Sequence, residues 1–242
     1  MHKHIETIQC TDWNDFKNHL GSLAGLDNYS FRGQRDANWS INSTLTRLAN
    51  KLPNDNQKIE DTIKWAFERR IRGLRGSHPS KLDDNQLWSL GQHYGLATPL
   101  IDWSLSPYIA AYFAWENSAP AQGGLRSIYR INHGAIHKAT GTPQEPFGVV
   151  DPLQDDNQRI LAQAGLFLRI PTGTSLETWL TELSLTQHLI KLTIPEHDRE
   201  QALRDLNLMN INAATLFPDL HGAAISCNML IEQTARELER SR

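Results

Sequence analysis

The sequence predicts an α+β fold in which a mixed β-sheet is flanked by several helices. Helical and strand-like patterns are interspersed along the 242 residues, without the regular β-α-β rhythm of a parallel sheet. The chain also lacks the glycine-rich phosphate loops of the Rossmann and P-loop types. The length favours one domain over residues 1–242, with a helical C-terminal extension over about residues 196–242.

The first predicted helix begins at Thr11 or Asp12, with an apolar face formed by Trp13, Phe16 and Leu20. Further helices are predicted where the sequence shows an amphipathic pattern, an Asp cap or a Ser-Pro start. These segments are NDNQKIEDTIKWAFERRIRGL, DDNQLWSLGQHYG, SPYIAAYFAWE, SLETWLTEL, EHDREQALRDLNL and the C-terminal tail. Strands are predicted at YSF, GGLRSIYRI, GLFLRIP and HLIKLTIP. Residues 141–156 hold three prolines and are predicted to form a long surface loop.

Composition narrows the class of protein. The formal net charge of −3 gives no general attraction to nucleic acid or to an anionic membrane. The two cysteines, Cys10 and Cys227, lie far apart and suit a reducing compartment. No apolar run approaches the roughly 20 residues of a membrane span. We therefore expect a soluble, cytoplasmic protein with no membrane partner.

The segment FRGQR places Arg32 and Gly33 at the end of the predicted strand YSF. A planar guanidinium beside a closely approaching backbone suits a phosphate, a carboxylate or a ribose edge. The alternative is an arginine that pairs with an internal carboxylate and only stabilises the fold.

The segment GQHYGLATPLIDWS is the second candidate for chemistry. His93 can act as a base, bind a substrate, or be a hydrogen-bonded core histidine. Asp102 can orient Arg32 or His93, cap the following helix, or join Arg47 and Trp103 in a buried polar network that only shapes the pocket.

The third candidate segment is DNQRILAQAGLFLRI. Its glutamines Gln158 and Gln163 precede a glycine and a strand, where they can face a cleft or solvent. We predict no metal site, because the ten histidines form no motif such as HExxH that combines them with a carboxylate at ligand spacing.

Together these motifs resemble the FRG domain family, named after a Phe-Arg-Gly tripeptide. The resemblance includes FRGQ, TLTRL around Arg47, the helix with Glu60 and Phe67, QHYGLATPLIDWSLSPYIAAYFA, RILAQAGLF and ATLFPDLHG, and it spans roughly Asp12 to Gly222. The chain departs from the family pattern at Pro99, where the family often has arginine, and at His221, where it often has an acidic residue.

A remoter resemblance is to ADP-ribosyltransferase folds, which place an early-strand arginine against the phosphates or ribose of NAD. Arg32-Gly33, residues 98–114 and residues 158–167 follow in the corresponding order. Residues 158–167 lack the glutamate that the third motif carries in these folds. Either the carboxylate comes from Asp102, Asp151 or Asp156, or the site binds a nucleotide without ADP-ribosyl transfer.

The resemblance implies NAD-dependent ADP-ribosyl transfer or NAD hydrolysis, with NAD as substrate, and a toxin or antiphage role. Arg32 would hold the pyrophosphate, His93 and Tyr94 the ribose or nicotinamide, and Gln163 the ribose hydroxyls. Predicted catalytic residues are His93, Asp102 and Gln163. Predicted binding residues are Arg32, Gly33, Gln34, Arg47, Gln92, Tyr94, Thr98 and Ser106.

Two other functions remain open at this point. The first is a nucleotide- or nucleic-acid-binding module without catalysis, which the missing glutamate favours. The second, with the least support, is a hydrolase or nuclease that uses His93 and Asp102, with a metal ion as an option. The sequence leaves the acceptor open between a protein, a nucleic acid and water, and it does not predict an oligomeric state.

Overall fold

The computed structural model describes residues 4–21, 26–51, 55–76, 80–141, 147–151 and 158–240. Within them, seven strands form one mixed sheet in the order β1-β7-β4-β2-β3-β6-β5. The strands are β1 (Glu6–Gln9), β2 (Tyr29–Gln34), β3 (Leu100–Ser104), β4 (Leu125–Asn132), β5 (Gly148–Val150), β6 (Gly165–Arg169) and β7 (Leu189–Pro195). Strands β1 and β7 are parallel and the other neighbours are antiparallel, which confirms the predicted α+β class.

Helices cover both faces of the sheet. They are α1 (Trp13–Gly21), α2 (Thr44–Ala49), α3 (Asn56–Arg70), α4 (Asp84–His93), α5 (Pro107–Trp115), α6 (His133–Thr140), α7 (Gln158–Ala162), α8 (Leu176–Glu182), α9 (Arg199–Leu208), α10 (Ala213–Leu216) and α11 (Leu220–Arg240). Among the residues described, none of these helices is long and apolar enough to cross a membrane.

The hydrophobic core lies in two main layers, one on each side of the sheet. On one face, α1, α5, α9 and α10 pack against Phe31, Ile128 and Leu192. On the other face, α6 and α8 pack against residues of β3, β4 and β6, including Trp103 and Ile131. Strand β4 is therefore buried on both faces.

Local sequence signals account for most helix starts. Asp83 forms a capping box with Gln86 at the start of α4, and Ser106 accepts a hydrogen bond from the Ile109 N–H at the start of α5. Pro107 occupies the first turn of α5, where a missing N–H costs nothing. Asp102 lies within β3, so the option that it caps this helix is wrong.

The region predicted as one long loop contains a strand. Residues Gly148–Val150 form β5, which pairs with β6 at the edge of the sheet. The rest of that prediction lies largely outside the described residues, at 142–146 and 152–156. The short elements β1, α2, α6 and α10 were also not predicted, because each has too few residues to show a clear period.

Candidate functional site

A gap between β2 and β3 is the structural basis of the site. The register between these two strands has a single residue pair, Phe31 with Ser104. Beyond this pair, Arg32 spans the gap with its side chain: Nη1 donates to the backbone carbonyl of Asp102 at 2.7 Å. The same Nη1 lies 3.9 Å from Asp102 Oδ2. A side chain thus replaces the backbone ladder at the point where the sheet opens.

The three residues of the FRG tripeptide have different roles at the point where the sheet opens. Phe31 is fully buried in the core below α5, and Arg32 faces the gap. Gly33 lies directly beneath α5, where a Cβ would come within 1.9 Å of the Ala110 carbonyl oxygen. The close backbone approach predicted at Gly33 is therefore present, and the partner is the backbone of α5.

Three adjoining cavities, which together we call the cleft, extend along the gap. The arginine chamber, about 780 Å³, is lined by Arg32, Gln34, Arg35 and Arg47 among others. The middle chamber, about 350 Å³, also includes Arg32. The His93 chamber is about 140 Å³. Arg32, Phe113 and Glu116 line the first two chambers, and Asp102, Trp103 and Gln163 line the last two, so the cleft is continuous.

The arginines of the cleft are only partly compensated by the protein. Burial is the largest influence on the pKa of Arg32 and lowers it; Asp102 raises it and Arg47 lowers it further. Arg35 donates to the side-chain oxygen of Asn117 at 3.1 Å and lies over the ring of Trp39. Arg47 donates to the Asn42 carbonyl and Thr44. Since arginine stays protonated, an anion in this chamber would be favoured.

Several buried polar atoms in the cleft have no hydrogen-bond partner within the described part of the protein. They are Arg32 Nε, Gln34 Oε1, Arg35 Nε, Ser89 Oγ and Trp103 Nε1. Buried polar groups are nearly always hydrogen-bonded, so each such atom calls for an explanation. A polar ligand in the cleft would provide one.

Glu116 places a carboxyl group in the same space as the arginines. It follows α5 directly, and its backbone N–H donates to the Tyr112 carbonyl at 2.7 Å. Burial raises the pKa of Glu116 from 4.5 to about 7. A carboxyl group that titrates near neutral pH can exchange protons during a reaction.

A chain of side chains positions Asp102. Thr98, fully buried, donates to Gln92 Oε1, and Gln92 Nε2 donates to Asp102 Oδ1 at 2.6 Å. The Asp102 side chain is itself 66% exposed. The alternative of a buried network of Asp102, Arg47 and Trp103 is therefore wrong, because both charged residues are exposed.

The structure brings His93 and Gln163 to the inner part of the cleft. His93 lines the smallest chamber and stacks edge-on with Tyr94, with ring centroids 4.8 Å apart. Gln163 lines the two inner chambers, but its side-chain amide already donates to the Leu216 carbonyl at 3.1 Å. Its geometry is thus fixed by α10 as well as by the cleft.

Three predicted binding residues, Tyr94, Thr98 and Ser106, line none of the three chambers. Tyr94 is 76% exposed and lines none of the three chambers. Ser106 caps α5 and likewise lines none of them. Thr98 Oγ1 donates to Gln92 Oε1 and accepts a hydrogen bond from the Leu100 N–H. Of the alternative carboxylates, Asp151 lines no chamber, and Asp156 lies outside the described residues.

Sequence reasoning missed Glu116, Arg35 and the aromatic residues Phe113 and Phe217. Glu116 had a signal: it is the first charged residue after the apolar helix PYIAAYFAW. Arg35 stands within the same FRGQR segment as Arg32. Phe217 lies far along the chain and reaches the cleft only because α10 packs near α7.

Residues 27–123 match the family model of the FRG domain. The FRG domain that the resemblance predicted is therefore identified over this segment, which is less than half of the chain. The matched segment is shorter than the predicted span of Asp12 to Gly222; it includes Arg32 and Glu116 but not Gln163. No curated protein and no solved structure matches the chain, and the comparisons do not show the resemblance to ADP-ribosyltransferases.

Proposed function

We propose that the cleft binds NAD and that the protein transfers its ADP-ribose group to an acceptor or to water. The proposal rests mainly on one observation: the arginine chamber combines three arginines, Arg32, Arg35 and Arg47, with the carboxyl group of Glu116, whose pKa burial raises to about 7. The arginine chamber, about 780 Å³, and the middle chamber, about 350 Å³, each lie in the range of ligand-binding pockets, about 300–1,000 Å³.

The arginine chamber suits the pyrophosphate. Within the described residues, neither Arg35 nor Arg47 has a carboxylate within ion-pair distance, and Arg32 has only Asp102, at 3.9 Å. Guanidinium groups bind phosphate oxygens in a forked geometry, and burial strengthens these bonds. The partners found for Arg32 and Arg47 are mainly backbone carbonyls, which leave other N–H groups for a ligand.

Glu116 supplies the carboxylate that the sequence motif lacked. In the proposed reaction, the bond between ribose C1′ and the nicotinamide nitrogen breaks, and nicotinamide leaves with the bonding electrons. Ionised Glu116 stabilises the cationic ribose, or takes the proton that the acceptor hydroxyl, amine or water loses as it bonds to C1′. The products are nicotinamide, the ADP-ribosyl product and one proton.

The pKa of Glu116 gives this mechanism a pH signature. The ionised form is required, and its population rises as the pH passes through about 7. We therefore expect kcat/KM to increase through this range and then level off. Glu116→Gln should remove both the activity and this inflection.

The test is release of nicotinamide from NAD by the purified protein, alone and with cell lysate. Arg32→Ala and Glu116→Gln should abolish release, while Arg204→Ala and Glu200→Gln, at exposed positions on α9, should retain it. Folded protein that releases no nicotinamide in either condition would contradict the proposal. Growth arrest on overproduction that Arg32→Ala relieves would support a toxin or antiphage role.

A binding module without catalysis is the second candidate. It is favoured by Gln163, an amide where the transferase pattern has a glutamate, and by the bond that already engages this amide. It predicts that NAD or ADP-ribose raises Tm without turnover. Activity abolished by a chelator would instead favour the metal-dependent hydrolase or nuclease.

A further inference from the structure

A second cluster of reactive side chains lies away from the cleft, at the junction of β1 and α1. We propose that Cys10, Asp15 and His19 bind a zinc ion. The Cys10 sulfur, one Asp15 carboxylate oxygen and one His19 ring nitrogen lie within 4.8 Å of one another. This proposal is independent of the function proposed for the cleft.

The backbone positions the three side chains of this cluster. Cys10 follows β1, and its N–H donates to the Thr193 carbonyl at 2.9 Å, which fixes it to the sheet. Asp15 and His19 are four residues apart on α1, so their side chains share one helix face. His19 Nε2 lies 3.7 Å from Asp15 Oδ1, close to the separation of two ligands on one tetrahedral metal.

The Asp15 carboxylate is oriented by groups outside the cluster. Its Oδ2 accepts a hydrogen bond from the Thr11 N–H at 2.9 Å, and the Thr11 hydroxyl lies 3.4 Å from the same oxygen. The other carboxylate oxygen, Asp15 Oδ1, is the one that lies near His19 Nε2. Such outer contacts typically hold metal-binding carboxylates in place.

The local charge favours a cation. Burial, together with the nearby carboxylates of Asp15 and Asp12, raises the pKa of the Cys10 thiol to about 11. A divalent ion would reverse this balance, because it compensates both the thiolate and the carboxylate. Coordination requires the thiolate, so binding releases a proton and should weaken as the pH falls.

The donor set selects the metal. One sulfur, one nitrogen and one carboxylate oxygen suit zinc, whereas magnesium and calcium prefer oxygen alone. Three protein ligands leave a fourth position for water. The Asp15 and His19 side chains are 33% and 40% exposed, so an ion can reach the buried sulfur past them.

The experiment is titration of the metal-free full-length protein with Co²⁺, followed by competition with Zn²⁺. We expect one equivalent to produce the absorption of tetrahedral cobalt, with a thiolate charge-transfer band, and zinc to remove it. Cys10→Ser should abolish the thiolate band. His19→Ala, at a partly exposed position, should weaken binding at least about tenfold without loss of the fold.

Controls separate this cluster from other thiols and histidines. Cys227→Ser, the other cysteine, should leave the titration unchanged. The double variant His2→Ala/His4→Ala should also bind normally. Absence of a thiolate band in the folded wild-type protein would overturn the proposal, and so would binding that depends on His2 and His4 but survives Cys10→Ser.

Discussion

Arginines occur in two environments in this protein. Arg126 and Arg169 are buried beside a glutamate, with Arg126 Nη2 2.7 Å from Glu196 and Arg169 Nη2 2.6 Å from Glu60. Arg126 also donates to three backbone carbonyls. In the cleft, Arg32 and Arg35 have no carboxylate within hydrogen-bond distance among the described residues. The contrast is in the missing carboxylate, because Nε lacks a partner in all four of these arginines.

The difference separates arginines that hold the fold from arginines that can hold a ligand. A buried ion pair satisfies its own charge, so its removal mainly affects folding. A partly buried arginine without such a partner is held by the surrounding structure, and its charge is available to an anion. Each prediction below tests one side of this contrast.

The largest effect is expected from Arg169→Met. Arg169 links β6 to α3 through Glu60, which also accepts a hydrogen bond from Thr172. The variant would leave the Glu60 carboxylate buried without its cation, and we expect a loss of about 3–5 kcal/mol in the free energy of unfolding. Chemical denaturation measures it.

The matched control is the double variant Arg169→Met/Glu60→Leu, which removes both charges and should recover most of the lost stability. A single variant that loses less than about 1 kcal/mol would show that this pair does not support the fold.

Arg32→Ala should show the opposite pattern. We expect affinity for ADP-ribose to fall about 10- to 100-fold, because one charge-assisted contact of about 1.5–3 kcal/mol is lost. Stability without ligand should change much less than in Arg169→Met. Calorimetric titration and denaturation measure the two quantities, and a variant that loses stability but keeps affinity would place Arg32 with the structural arginines.

The sequence predicted the fold class and the main elements because their signals are local. Asp83 and Ser106 are capping residues, and the apolar spacing of residues 59–71 is helical. Short elements such as β5 and α10 could not be predicted, since their positions depend on the partners that pack against them. The double burial of β4 follows from its central position in the sheet, which no local pattern encodes.

The candidate site was predictable where its residues lie in a distinctive segment: Arg32 in FRGQR, and Gln92 and Asp102 in GQHYGLATPLIDWS. Glu116 was missed because its importance comes from burial beside the arginines, which is a tertiary property. The Cys10, Asp15 and His19 cluster was missed because it joins a residue after β1 to one face of α1, which no spacing between histidines indicates. Tyr94 belongs to the same motif as Gln92, yet the helix end turns its ring towards solvent.

Glu116→Gln tests how much the buried carboxyl group of Glu116 lowers the free energy of unfolding. Its pKa in the folded protein, about 7, exceeds its ordinary value of 4.5. Between these two pH values the folded protein keeps a proton on Glu116 that the unfolded chain has released. The free energy of unfolding of the wild type therefore falls as the pH rises, and this dependence levels off above about 7. The variant, which does not titrate, should be more stable than wild type by about 1–3 kcal/mol near pH 8.

Denaturation curves at several pH values measure this difference, which should vanish near pH 4, about where both states are protonated. A constant difference across the range would mean that burial of Glu116 carries no proton linkage. Glu200→Gln, at an exposed position, should show no comparable pH dependence.

The smallest effect is expected from Arg35→Lys, which keeps the charge and removes the planar fork. Arg35 lies over the Trp39 ring at 4.8 Å and donates to Asn117, so the lysine would lose the stacking contact and one direction of hydrogen bonding. We expect affinity for ADP-ribose to weaken about three- to tenfold, with stability almost unchanged. Equal affinity in this variant and a large loss in Arg35→Ala would show that the chamber uses Arg35 only as a charge. Equal affinity in Arg35→Lys and Arg35→Ala would restrict anion binding to Arg32 and Arg47. The distinction between arginines that hold the fold and arginines that can hold a ligand would then depend on burial as well as on the missing carboxylate.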